Sequence, residues 1–200
     1  MNSTPDPTLK NLAETSLAKC IVRISRVSAG TWQLLGVDVS SGTIGDAVKR
    51  HDFKDPAIAV YFNRQGTFPL AAMMMFAPSQ MECISKCFTG HSFPRGKTTT
   101  IAEAVMLTEL GNIVLNALTN GLLNALNKGS LPVGPLFVEG DERRVTAEIG
   151  KDMNLKQVFR IITATLELKS DKSAARSEVL ALLPEELAME LELRQPAAES

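Results

Sequence analysis

Glu109 and Asn112 stand three residues apart within Thr100–Asn127, a stretch that reads as one long helix with little other polar chemistry. At that spacing an acid and a carboxamide share a helix face, and Asn116, Asn120 and Asn124 follow at steps of four. Asparagine costs a helix about 0.6 kcal/mol per position relative to alanine, so local propensity does not explain four of them. A solvated helix edge ordinarily carries Lys, Glu, Gln or Arg, whereas Thr100–Asn127 contains no basic residue. A short, stiff carboxamide beside a carboxylate suits insertion into a partner. The bland alternative is the wet edge of a core helix, in which Ile113, Val114, Ala117, Leu118, Gly121, Leu122 and Ala125 face inward, extended by Leu107, Leu115 and Leu126.

The other reactive residue types form no site. Gly90 to Thr98 looks like a phosphate-binding loop, but five residues separate its first glycine from Gly96-Lys97 where four are needed, and a helix precedes it instead of a strand. Two histidines, His51 and His91, with no nucleophile elbow, leave no triad to assemble. Cys83 and Cys87 could share a helix face, yet core thiols explain them without a metal or redox pair, and neither histidine has metal-ligand spacing. Met73-Met74-Met75 reads more simply as core filler than as an adaptable binding surface. Asp141-Glu142-Arg143-Arg144 reads as a solvated helix start.

The elements that must position Glu109 and Asn112 fit one α+β domain with a mainly antiparallel sheet. A content of 44% hydrophobic and 22% charged residues in 200 excludes disorder for most of the chain. A net charge of -1 gives no global field for nucleic acid or an anionic membrane. The longest apolar run, Phe68–Ala77, is short for a membrane helix, and MNSTPDPTLK has no signal-peptide core, so a cytoplasmic location is expected. Three cysteines do not make a disulfide framework.

Polar tails are expected at residues 1–7 and 195–200, around a single domain over 8–194. A helix is predicted over Thr8–Val27, ended by Ala29-Gly30, and an extended segment over Thr31–Val39. Gly42–Lys54 gives no firm reading. Ala57–Asn63 and Phe68–Ala77 flank Arg64-Gln65-Gly66 as an antiparallel hairpin. Ser79 is positioned to cap a helix to Phe88, with Gly90 as its stop. A loop with Pro94 and Gly96 leads to the long helix, which Lys128-Gly129-Ser130 should end. An extended stretch over Val133–Val138, a short helix over Asp141–Ile149, strands over Gln157–Leu168 and Ala174–Leu183, and a helix opened by Leu183-Pro184-Glu185-Glu186 complete the chain. Each half supplies a helix and then extended segments, a rough twofold with two long helices packed on the sheet.

On these residues the chain resembles the CheC, CheX and FliY family of chemotaxis phosphatases. The family pattern is Asp or Ser, three residues, Glu, two residues, Asn, twenty-two residues, Pro. Here Thr108-Glu-Leu-Gly-Asn-Ile113 supplies its centre and Pro135 falls at the proline position. The run Phe68–Gly90 and the two late strands look like their counterparts in CheC, so the resemblance covers Thr8–Leu183. Val105 stands where the family has Asp or Ser. In the first helix, where two-site members repeat Glu-x-x-Asn, Asn11 and Glu14 occur in reverse order, implying one site instead of two.

The resemblance implies a pseudo-twofold CheC-like fold and a phosphatase acting on the aspartyl phosphate of a CheY-like response regulator. Asn112 would enter the regulator's active site and orient the attacking water, and Glu109 would pair with the regulator's lysine. No cofactor is implied for this chain, since Mg²⁺ is expected on the regulator. A CheD-like protein is a further implied partner, and because CheX-like relatives dimerise, a homodimer remains open. The alternative, favoured by Val105, is a non-catalytic adaptor on the same fold that binds a phosphorylated regulator or a CheD-like partner.

Overall fold

The computed structural model describes residues 7–64, 70–93, 98–128, 134–151, 153–170 and 173–194. The expected tails at 1–6 and 195–200, the hairpin turn after Arg64, Pro94 and Gly96, and the stop at Gly129-Ser130 lie outside them. The chain runs through α1 (Pro7–Val27), β1 (Thr31–Gly42), α2 (Ile44–Val48), β2 (Ala57–Arg64), β3 (Leu70–Phe76) and α3 (Met81–Thr89). It then repeats that order as α4 (Ile101–Ala125), β4 (Leu136–Gly140), α5 (Glu142–Ile149), β5 (Phe159–Ser170), β6 (Ser173–Pro184) and α6 (Glu185–Leu193). The six strands form one sheet in the order β1-β5-β6-β3-β2-β4, with every pair antiparallel. Exchanging each strand for its counterpart in the other half only reverses that order. A pseudo-twofold axis therefore passes between β3 and β6.

Both faces of the sheet are covered. Ala72, Met74 and Phe76 of β3 join a core with α1, α3, α4 and α6, whereas Ala71, Met73 and Met75 join a second core with α2 and α5. A strand buried on both faces reads as a continuous apolar run, and all of β3 is buried. The three methionines are thus core on alternating faces.

Helix α4 begins with a capping box. Thr100 Oγ1 accepts from the Glu103 amide at 3.3 Å, while Glu103 Oε2 accepts from the Thr100 amide at 2.7 Å, satisfying two orphan donors. Asn127, at φ 55, turns the chain just beyond the Leu126 C-cap, an ending asparagine tolerates better than most residues. Between these ends Leu107, Leu110, Val114, Leu118 and Leu122 lie fully buried, each contributing about 1.5–3 kcal/mol by leaving water. Gly111 lets the helix settle on the sheet, since a Cβ there would stand 2.4 Å from Val60 Cγ1. By length and composition α4, 25 residues long and with an inner stretch of mean hydropathy 1.4, is apolar enough to cross a membrane, although no uninterrupted apolar run marks it in the sequence. In this fold its apolar side is covered by β2, β3 and α1.

Several expectations are corrected. Ser79 does not cap α3: Pro78–Gln80 forms a 3-10 turn, and the N-cap is Gln80, without a side-chain cap bond. Gly90, at φ 82, does end that helix. Residues 42–54 contain α2, opened by a Thr43/Asp46 capping box. Strand β1 continues to Gly42, and β4 starts at Leu136, within the expected stretch whose first residue, Val133, lies outside the described residues. Ile113 is 40% exposed instead of facing the core, because Leu110, Gly111 and Val114 turn inward and carry it to the outer side.

Candidate functional site

Glu109 is exposed and Asn112, one turn on, is half-buried on the same side of α4. Among the described residues Glu109 makes no ion pair. Asn116 Nδ2 donates to Asn112 Oδ1 at 2.6 Å and to the Asn112 carbonyl at 2.9 Å. That pair of bonds holds the Asn112 carboxamide by its oxygen, leaving its Nδ2 without a partner among the described residues. The arrangement offers a fixed neutral donor beside a free carboxylate, able to orient a small polar molecule and pair with a cation. Ile101, Val105 and Ile113, at 86%, 59% and 40% exposure, flank it along the same helix. Such an apolar surround around two polar groups is the composition of a protein-binding patch.

Pro135 is half-buried just ahead of β4, a strand in contact with α4. The Thr99 amide donates to Glu139 Oε2 of that strand at 3.4 Å, tying the helix start to the sheet edge. The roles of Asn116, Glu103 and Glu139 were missed by sequence reasoning. Thr100-x-x-Glu103 carried a readable capping signature, and the four-residue step from Asn112 to Asn116 was visible without its consequence.

Placing Leu9 on Leu107 lays α1 over α4. Leu9, Ala13, Leu17, Cys20, Ile21 and Ile24 then coincide with Leu107, Gly111, Leu115, Leu118, Thr119 and Leu122, all buried. Asn11 falls on Glu109 and Glu14 on Asn112, so the reversed order holds in space. Glu14 lies 3.9 Å from Lys10, and Ala18 stands where α4 has Asn116. The first helix thus carries neither a free carboxylate at the Glu109 position nor a held carboxamide.

The two helices pack against each other. A Cβ on Gly121 would stand 1.8 Å from Ser16 Oγ, and Cys20 Sγ lies 3.8 Å from the Ile113 carbonyl, so they run antiparallel. A cleft of about 1360 Å³ lies between them, lined among others by Asn11, Lys19, Arg23, Asn116, Asn120 and Arg194.

The remaining candidates are structural. Cys83 and Cys87 are buried free thiols with Sγ atoms 3.9 Å apart, and burial followed by the neighbouring sulfur pushes Cys87 up to about 12. Burial likewise raises Cys20 to about 11, partly offset by Arg23. At neutral pH both are unreactive thiols. His51 is buried with Nδ1 2.7 Å from Glu178 Oε2, and His91 is exposed. Among the described residues no three His, Cys, Asp or Glu side chains are grouped to hold a metal ion.

No protein-family model matches the sequence, and no curated protein matches it. Solved structures match its fold. FliY of Thermotoga maritima aligns over 97% of this chain and 98% of its own, with TM-score 0.67 at 9% identity. A chain of the FliG–FliM complex from H. pylori aligns over 93% and 96%, with TM-score 0.59 at 12% identity. A chain of the CheX–CheY–BeF3–Mg²⁺ complex from Borrelia burgdorferi aligns over 88% and 97%, with TM-score 0.53 at 12% identity. The fold is therefore the one these proteins share, in keeping with the resemblance carried by Glu109, Asn112 and Pro135.

Proposed function

We propose that this chain dephosphorylates the aspartyl phosphate of a CheY-like response regulator. The observation that carries the reading is the outward pairing of a free Glu109 with an Asn112 carboxamide held by Asn116. Glu109 pairs with a lysine of the regulator and sets the docking register. Asn112 Nδ2 donates to the attacking water and aligns it with the phosphorus. The water oxygen bonds to phosphorus as the bond to the aspartyl oxygen breaks, releasing inorganic phosphate and a free carboxylate. Catalysis here is positioning, since an acyl phosphate is already activated. Mg²⁺ bound by the regulator supplies charge neutralisation at the phosphoryl oxygens. Ile101, Val105 and Ile113 add apolar contact around the polar pair. The reading places the protein in the cytoplasm with its regulator, and a chain of the same fold occurs in a complex containing CheY.

A second reading is an adaptor that binds a phosphorylated regulator, or a CheD-like protein, without turnover. Val105 favours it, as an exposed aliphatic side chain where the family pattern has Asp or Ser. A chain of the same fold in complex with FliG is consistent with a docking role.

Phosphate loss from a panel of phosphorylated receiver domains, with wild type and Asn112→Ala compared, separates the two. Acceleration of one receiver by wild type alone supports the phosphatase. Binding of a phosphorylated receiver without acceleration overturns it in favour of the adaptor.

A further inference from the structure

We propose that the cleft between α1 and α4 docks an acidic, amphipathic helical segment of a partner protein. The inference does not rest on the phosphatase reading, because it concerns the surface beside Glu109 and Asn112. The cleft follows α1 from Pro7 to Arg23, about 24 Å at the helical rise, a length that suits a segment of some four turns. Its floor includes the apolar Leu12, Ala117 and Ala125, at a crossing kept close by Ser16 and Gly121.

Charge decides the occupant. Among the described residues Lys19, Arg23 and Arg194 line the cleft and no carboxylate does, in a chain whose net charge is -1. Arg194 is partly engaged, donating to the Leu126 carbonyl at 2.8 Å and lying 3.8 Å from Glu190. Lys19 and Arg23, four residues apart on one rim, make no ion pair among the described residues. Asn116, Asn120 and Asn124 supply neutral donors and acceptors on the opposite rim. A helix laid here sets apolar side chains at i, i+3 and i+4 on the floor and its carboxylates toward Lys19 and Arg23. A second copy pairing the same faces would bring like charges together, which argues against self-association through the cleft.

The test uses two fluorescein-labelled 16-residue peptides with identical leucine positions, one carrying glutamates elsewhere and the other lysines. Fluorescence anisotropy measures their binding to the full chain and to K19E/R23E, with circular dichroism confirming that the variant is folded. Wild type is expected to bind the acidic peptide at least tenfold more tightly than the basic one, and the variant to reverse that preference. Equal binding of both peptides by wild type, or an acid preference unchanged in K19E/R23E, overturns the proposal. A wild-type dimer in sedimentation that K19E/R23E dissolves would assign the cleft to a second copy and overturn it as well. Phosphate release measured alongside reports on Glu109 and Asn112, so the two readings fail separately.

Discussion

Helices α1 and α4 occupy equivalent places in the two halves, agree at each buried position of α1 from Leu9 to Ile24, and diverge on the outside. Both must fill the same layer over the sheet, so packing dictates the inward residues of each. Nothing inside the fold dictates the outward ones. There α1 places Asn11, a Glu14 paired with Lys10, and Ala18, whereas α4 places Glu109, Asn112 and Asn116. Helix α4 also buries Met106, Leu110 and Val114, whose counterparts Thr8, Leu12 and Ser16 are only half-buried. The deeper helix is the firmer platform for the outward arrangement of Glu109, Asn112 and Asn116.

The sharpest way to break this comparison is to remove the two candidate side chains in turn. Asn112→Ala is expected to reduce phosphate release to the regulator's own rate while leaving binding largely intact, and Glu14→Ala to change neither. Loss of binding with Asn112→Ala would reduce that residue to a docking contact. Gly111→Ala probes the platform. Its new methyl group meets Val60, and crowding outweighs the roughly 1 kcal/mol gained in helix propensity, for a net loss of about 1–2 kcal/mol in urea unfolding. Glu109→Ala is expected to weaken regulator binding about tenfold in a titration, as one cross-interface charge pair is lost. Thr100→Ala should cost about 1 kcal/mol by removing the α4 cap, read as a lowered melting temperature. Asn116→Ala, the smallest effect, should lower kcat a few-fold with KM unchanged, because Asn112 keeps its place but loses its hold.

What the sequence discloses follows from the length and contrast of its patterns. Helix α1 repeats its periodicity long enough to be read, the β2–β3 hairpin shows as two apolar runs on either side of a turn, the β5–β6 pair shows as two long β-forming segments, and Glu109 and Asn112 stand out because their surroundings are apolar. Helix α2 is five residues long, too short for a period, and only Thr43 and Asp46 announced it. Ile113 was placed inward because α4 is apolar nearly all round, which leaves the direction of the core open until β2 fixes it at Gly111. The cleft required Lys19 and Arg23 to be brought beside Asn116 and Asn120, a meeting of residues nearly a hundred apart that no local pattern encodes. The capping role given to Ser79 failed because Pro78 begins a tighter turn that places Ser79 before the cap.

The interlaced strand order also sets a timetable for synthesis. Thr31 of β1 pairs with Lys169 of β5, so the first strand made receives its neighbour in the sheet almost last. At 5–20 residues per second, that partner is translated on the order of ten seconds later. The nascent amino-terminal half therefore leaves the ribosome with α1 and an open strand edge awaiting completion, and neither half taken from the gene alone can close the sheet.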